Sequence, residues 1–136
     1  MNPNDVETRI LRNHWLVTQD KLDEALDELD AVIKTDPYPP SWYWEARGIT
    51  LFHLQRYAEA IGAFSKMVTL HMWNRAYMAA AYAYLDRMAE ANQEVELIKQ
   101  SQPNATITKV LMIEKPGSKS LTAQFVAGMR KAGLPE

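Results

Sequence analysis

The chain has 136 residues, 47% hydrophobic and 24% charged, with 15 Lys and Arg against 17 Asp and Glu and no Cys. That length and balance suit one globular domain, built either on a single core or on a short stack of repeats, and the absence of Cys excludes disulfide frameworks and thiolate zinc sites. A net charge of -2 argues against sequence-independent nucleic-acid binding, which draws on a basic surface.

In chain order, Met1-Asn2-Pro3-Asn4-Asp5 shows no basic-then-apolar pattern of a secretion signal, and the expected location is cytoplasmic. Asn4, with Glu7 three residues on, has the chemistry to cap a helix over about 5–18. Leu22, Ala25, Leu26, Leu29, Val32 and Ile33 then form the stripe of an amphipathic helix that stops at Asp36-Pro37. Ser41 precedes a helix over about 42–54, and Tyr57, Ala60, Ile61, Phe64, Met67 and Val68 mark the next. Asn74 is the expected cap of a helix over about 75–85, followed by Met88, Ala91, Val95 and Ile98 before Gln102-Pro103. The longest uncharged apolar stretch, 77–85, falls far short of the roughly 20 residues a bilayer requires. Asn104 can cap a short helix to about 113. Ser118 or Ser120 can cap a last one carrying Leu121, Phe125 and Met129, which Gly133 and Pro135 close. No strand-like alternation interrupts the series, so the expected fold is all-α.

The segment Lys21-Leu22-Asp23-Glu24-Ala25-Leu26 recurs as Arg56-Tyr57-Ala58-Glu59-Ala60-Ile61 and as Arg87-Met88-Ala89-Glu90-Ala91-Asn92, at spacings of 35 and 31 residues. Each copy opens the second helix of a pair, a pattern that indicates antiparallel helix pairs stacked side by side. The middle pair has Trp44, Gly48, Leu51, Ala60 and Phe64 at offsets that resemble a tetratricopeptide repeat. Asn13, Leu16, Ala25, Leu29 and Pro37 take those places in the first pair, and Ala79, Tyr82, Ala91, Val95 and Pro103 in the third. The resemblance implies an α-α superhelix over 1–103 with repeats at about 5–40, 41–74 and 75–103. Residues 104–136 are then a degenerate fourth repeat and a capping helix over the stack's last apolar face. Gly48 and Ala60 would let paired helices cross closely. The tighter 31-residue spacing is expected to shorten the link around Met72–Asn74. The tail 125–136 is also similar to that of bacterial repeat proteins attached to class III nucleotide cyclases or winged-helix regulators. The alternative function it implies is a C-terminal regulatory or oligomerisation module, with signalling as its context.

Catalytic signals are missing. His14, His53 and His71 are scattered, there is no His-Glu-x-x-His, and Lys115 to Ser120 lacks the adjacent Gly-Lys-Ser of a phosphate loop. We therefore expect no enzyme, no metal and no cofactor, and read 115–120 as a helix break and cap. The repeat resemblance directs attention instead to the concave face formed by the first helix of each pair. Its positions fall on Glu7, Ile10, His14, Val17 and Thr18; on Trp42, Glu45, Ile49, Phe52 and His53; and on Trp73, Ala76, Ala80, Ala83 and Tyr84. The expectation is a protein-protein interaction scaffold that takes a partner peptide or helix there. Trp42, Phe52, Trp73 and Tyr84 would hold an apolar anchor, with Ile49 beside them and His14, Glu45 and His53 orienting polar groups. Three occupants of this groove stay open: a partner, the chain's own C-terminal helix folded back, or a second copy. With His14 where chaperone-tail binders carry Asn, a carboxylate clamp is disfavoured. Trp15, Tyr43, Trp44, Tyr57 and Tyr77 are expected to pack between helices. Residues 20–36 hold seven acidic side chains against Lys21 and Lys34, whereas 99–131 hold six basic ones against Glu114. That polarity would favour homo-oligomerisation if the two segments lie at opposite ends.

Overall fold

The computed structural model describes residues 6–136, with the backbone alone at positions 6, 7 and 10. Asn4 and the side chains of Glu7 and Ile10 thus lie outside the described residues. Those described form an all-α structure: α1 (Val6–Thr18), α2 (Leu22–Thr35), α3 (Ser41–His53), α4 (Tyr57–Phe64), α5 (Met72–Tyr84), α6 (Met88–Ser101), α7 (Ile107–Ile113) and α8 (Lys119–Ala132). No helix among them is long and apolar enough to cross a membrane.

The helices pair as α1 with α2, α3 with α4 and α5 with α6. The three pairs turn in the same way. Asp20, Gln55 and Asp86 each adopt the left-handed conformation, with φ of 59°, 64° and 59°. The next residue in each case, Lys21, Arg56 or Arg87, donates its N–H back to Leu16, Leu51 or Tyr82 at 2.9 Å. This closure satisfies the carbonyls that a helix end leaves free. One backbone solution is thus used three times, at the places where the sequence repeats.

First helices meet first helices, α1 on α3 and α3 on α5, while α2 packs on α3 and α4 on α5. This is the arrangement of an α-α superhelix, with one face made by α1, α3 and α5. Between pairs, the Tyr43 hydroxyl donates to the Leu29 carbonyl at 3.0 Å, and Leu29, Val32 and Tyr43 share a core. Within the first pair the Asn13 amide donates to the Ala25 carbonyl at 2.5 Å. Within the second, a Cβ at Gly48 would come within 2.7 Å of the buried Phe64 ring, so glycine permits the crossing of α3 and α4.

The structure moves several boundaries. The shortened repeat takes its deficit from α4, which has 8 residues where α2 and α6 have 14. Met72–Asn74 is helical. Val68, expected on the buried stripe, lies beyond the end of α4 and is 92% exposed. Asn74 does not precede α5 but sits inside its first turn, where its side-chain oxygen accepts the His71 N–H at 2.9 Å. Thr106 rather than Asn104 caps α7, and Ser118 caps α8. Tyr43 and Tyr77 are fully buried and Trp44 and Tyr57 partly so, but Trp15 is 53% exposed on the outer side of α1, with Lys21 over its ring.

Relieving a left-handed turn offers a test of this geometry. An L-residue at such a φ costs about 1–2 kcal/mol that glycine does not incur, offset in part by the greater freedom glycine has when unfolded. Gln55→Gly is expected to raise stability by about 0.5–1 kcal/mol, read as a higher urea midpoint at unchanged slope.

Candidate functional site

The face made by α1, α3 and α5 is occupied by the chain's own C-terminus. Helix α8 packs along α5 and also touches α6 and α7. Its first turn lies at the first repeat, where Ser118 donates to Asp20 at 3.3 Å and Leu121 joins Leu16, Val17 and Ala25. Its last turn lies at the third repeat, where Lys131 donates to Asp86 at 3.0 Å. The basic C-terminal segment is therefore laid across the stack, and the two charged segments do not lie at opposite ends.

Residues three and four apart on one side of α8 make the contact. Phe125 stacks on Tyr77 at 4.0 Å between centroids and meets Phe52 edge-on at 5.9 Å. A Cβ at Gly128 would come within 2.6 Å of the Ala80 Cβ, so this glycine sets how closely α8 approaches α5. Phe125, Met129 and Ala132 are fully buried.

Gln124 supplies the polar fastening. Its amide N–H groups donate to the Phe52 carbonyl at 2.8 Å and the Tyr57 hydroxyl at 3.0 Å. Its side-chain oxygen lies 3.1 Å from His53 Nδ1, and its backbone carbonyl accepts the Tyr84 hydroxyl at 2.6 Å. Because that amide oxygen can only accept, Nδ1 carries the proton, which leaves Nε2 to accept from the Tyr77 hydroxyl at 3.3 Å. Burial pushes the His53 pKa down, and the Gln124 hydrogen bond only partly opposes it. A neutral imidazole results, and one tautomer of it.

The expected site residues therefore divide. Phe52 and His53, at 0% and 4% exposure, are beneath α8, and Tyr84 is half-buried against it. A partner reaches them only if α8 leaves. Ile49 packs with Leu16, Val17 and Leu121. Glu45 turns to its own chain: one carboxylate oxygen accepts from Trp73 Nε1 at 3.2 Å and from the Asn74 amide at 2.8 Å, tying α5 to α3. Trp73 also stacks on His71 at 4.6 Å. His14 and Trp42 remain exposed, Trp42 by 38%.

Where α8 begins, the face is not filled. A cavity of about 30 Å³ remains between α1, α3 and the segment 114–117 that links α7 to α8. Asn13, Ile49, His53, Tyr77 and Glu114 border it, with exposed His14 and Lys115 at its rim. The Asn13 side-chain oxygen is buried with no hydrogen-bond partner. Burial, followed by the nearby negative charge of Glu45, raises the Glu114 pKa to about 7. Among the described residues no ion pair or hydrogen bond to the Glu114 carboxyl is formed, and no group of three or more His, Asp or Glu is placed to hold a metal ion. Nothing in the pattern of charges marked Glu114 in advance, because the residues around it come from α1, α3 and α5, far away in sequence.

Comparison with known proteins returns no match: no family model, no curated protein and no solved structure corresponds to this chain.

Two outcomes follow from this geometry. Replacing Gln124 by Ala removes the fastening and leaves the Phe52 carbonyl and the His53 Nδ1–H without partners, a loss of about 2–3 kcal/mol in urea unfolding. Glu114 has a raised folded pKa, so its contribution to stability is present below the ordinary carboxyl range and is lost as pH rises through about 7. Glu114→Gln should match the parent near pH 4 and exceed it at pH 8 by about 1–2 kcal/mol, measured in amine-free buffer.

Proposed function

We propose that the chain is a non-catalytic protein-protein interaction scaffold that binds a peptide or helix of a partner protein on the face made by α1, α3 and α5. The observation that carries this reading is α8 itself. The face accepts a helix whose Phe125 enters an aromatic pocket and whose Gln124 satisfies backbone and side-chain groups at once. A surface so complementary to a helix is chemically suited to helix recognition, in which apolar anchors at i and i+4 supply affinity. The likeness of the helix pairs to tetratricopeptide repeats supports the same reading.

With α8 seated, the expected contact residues still open to a partner are exposed Trp42 and His14 and partly exposed Trp73, and His14 borders the Glu114 cavity. Aromatic side chains of this kind give large contact area at small entropic cost. Helical peptides selected from a display library against the full chain should bind there. Trp42→Ala with Trp73→Ala should weaken the selected peptides at least about tenfold while the helical circular dichroism is retained. Undiminished binding by the folded double variant would place recognition elsewhere and refute the assigned face.

A further inference from the structure

The three helix pairs align residue by residue through their turns, where Leu16, Leu51 and Tyr82 accept the same backbone N–H. Leu11 then corresponds to Ala46 and Tyr77, Trp15 to Thr50 and Ala81, and Arg12 to Arg47 and Met78. In the second and third pairs these positions form the joint with the pair before. Ala46 packs with Leu29 and Val32 of α2, and Tyr77 stacks on Phe64 of α4 at 5.8 Å and meets Phe52 of α3 edge-on at 5.1 Å. Thr50, Tyr77 and Ala81 are fully buried. Arg47 reaches across the joint to Asp30 at 2.7 Å.

In the first pair the same half-joint is open. Leu11 is 65% and Trp15 53% exposed, one turn apart, where their counterparts are core. Arg12, whose counterpart Arg47 bridges the joint, turns instead to Glu28 of its own pair at 2.6 Å. Beside it a cleft between α1 and α2 is lined by Arg9, Arg12, Asp27 and Glu28. Arg9 and Asp27 form no ion pair with a described residue. A repeat stack buries its apolar surface only where a neighbour is present, so this end retains the chemistry of a joint without the second half.

We propose that this open end of the stack is a dimer interface, in which α1 of one copy lies against α1 of a second copy about a twofold axis, with Leu11 and Trp15 at its centre. The charges choose the occupant. A partner of a single charge would be repelled by half of this end. A twofold contact brings the cations of each copy to the acids of the other, and so needs both signs on one surface, as Arg9 and Arg12 with Asp27 and Glu28 provide. The apolar pair fits the same symmetry, because two crossing α1 helices contribute two Leu and two Trp side chains to one contact. Leu16 and Val17, which meet α8, lie on a different side of α1. The interface is thus separate from the face assigned to peptide recognition.

Sedimentation equilibrium of the full chain, from about 5 µM to about 1 mM, tests this. A contact confined to one end of the stack belongs with small, weak interfaces, so a monomer-dimer equilibrium is expected with a dissociation constant on the order of 100 µM. Leu11→Glu with Trp15→Glu should weaken it at least about tenfold while the helical circular dichroism is unchanged. Charge reversal reads the symmetry. Copies carrying Arg9→Glu with Arg12→Glu, or Asp27→Lys with Glu28→Lys, should each stay monomeric alone, and an equimolar mixture should restore association as a heterodimer.

A monomer at every concentration would overturn the proposal, as would a dimer unaffected by the changes at Leu11 and Trp15. Growth beyond the dimer would also overturn it, since a head-to-tail contact does not close. Where the Leu11 and Trp15 double variant fails to fold, the charge-reversed copies decide: a parent dimer whose reversed copies still dimerise alone, or fail to associate when mixed, places the contact elsewhere.

Discussion

The structure depends on the seating of α8. Three helix pairs leave an apolar face on α1, α3 and α5, and a bare face of that kind is unfavourable in water. Phe125 on Tyr77, Met129 and Ala132 on α5, and Leu121 against the first repeat cover it. Full burial of a Phe, Leu or Met side chain is worth about 1.5–3 kcal/mol each as an upper estimate, and ordering the helix opposes it. The rest follows from that contact. His53 is buried because Gln124 lies on it, and the cavity exists because segment 114–117 must carry the chain from α7 back to α1.

Covering an apolar face with a helix also brings polar groups under it, and here they are treated in two ways. At Gln124 every donor and acceptor is matched, so burial of His53 costs little beyond its loss of charge. At Glu114 the matching stops. The Glu114 carboxyl borders a small cavity without an ion pair or hydrogen bond to the described residues, and the buried Asn13 side-chain oxygen nearby has no partner. The two titratable groups therefore pull stability in opposite directions with pH. A depressed His53 pKa removes stability as pH falls below the ordinary histidine value, whereas a raised Glu114 pKa removes it as pH rises toward 7. Between the ordinary carboxyl and histidine values the two losses overlap with opposite slopes, so these two groups largely cancel one another's pH dependence there.

Most helices could be anticipated because their signals are local. The stripes of Leu22 to Ile33 and Met88 to Ile98 and the repeated Lys21, Arg56 and Arg87 segments mark the second helices of the pairs. The closing Gly133, at φ 102°, marks the end of α8. Asn74 and Val68 lie away from the places their local pattern suggests for a shared reason: the same deficit of residues can shorten a link or a helix, and only packing chooses between them. Trp15 illustrates a related limit. It lies on a helix with an apolar stripe, yet α1 is the first helix of the stack and one of its sides has no neighbour among the described residues.

The face made by α1, α3 and α5 was legible as a set of positions, but its state was not. Helical period, turn residues and repeat spacing depend on neighbours within a few residues, and these settled an all-helical stack of pairs from the 136 letters alone. The pairing of Gln124 with Phe52 and Tyr57, and the gathering of Asn13, Glu45 and Glu114 at one place, join residues separated by most of the chain. Which surface α8 covers, and therefore which aromatic residues are core and which remain open, is decided by the fit of whole faces. Periodicity cannot encode such a fit, because an amphipathic helix has the same pattern whatever it lies against.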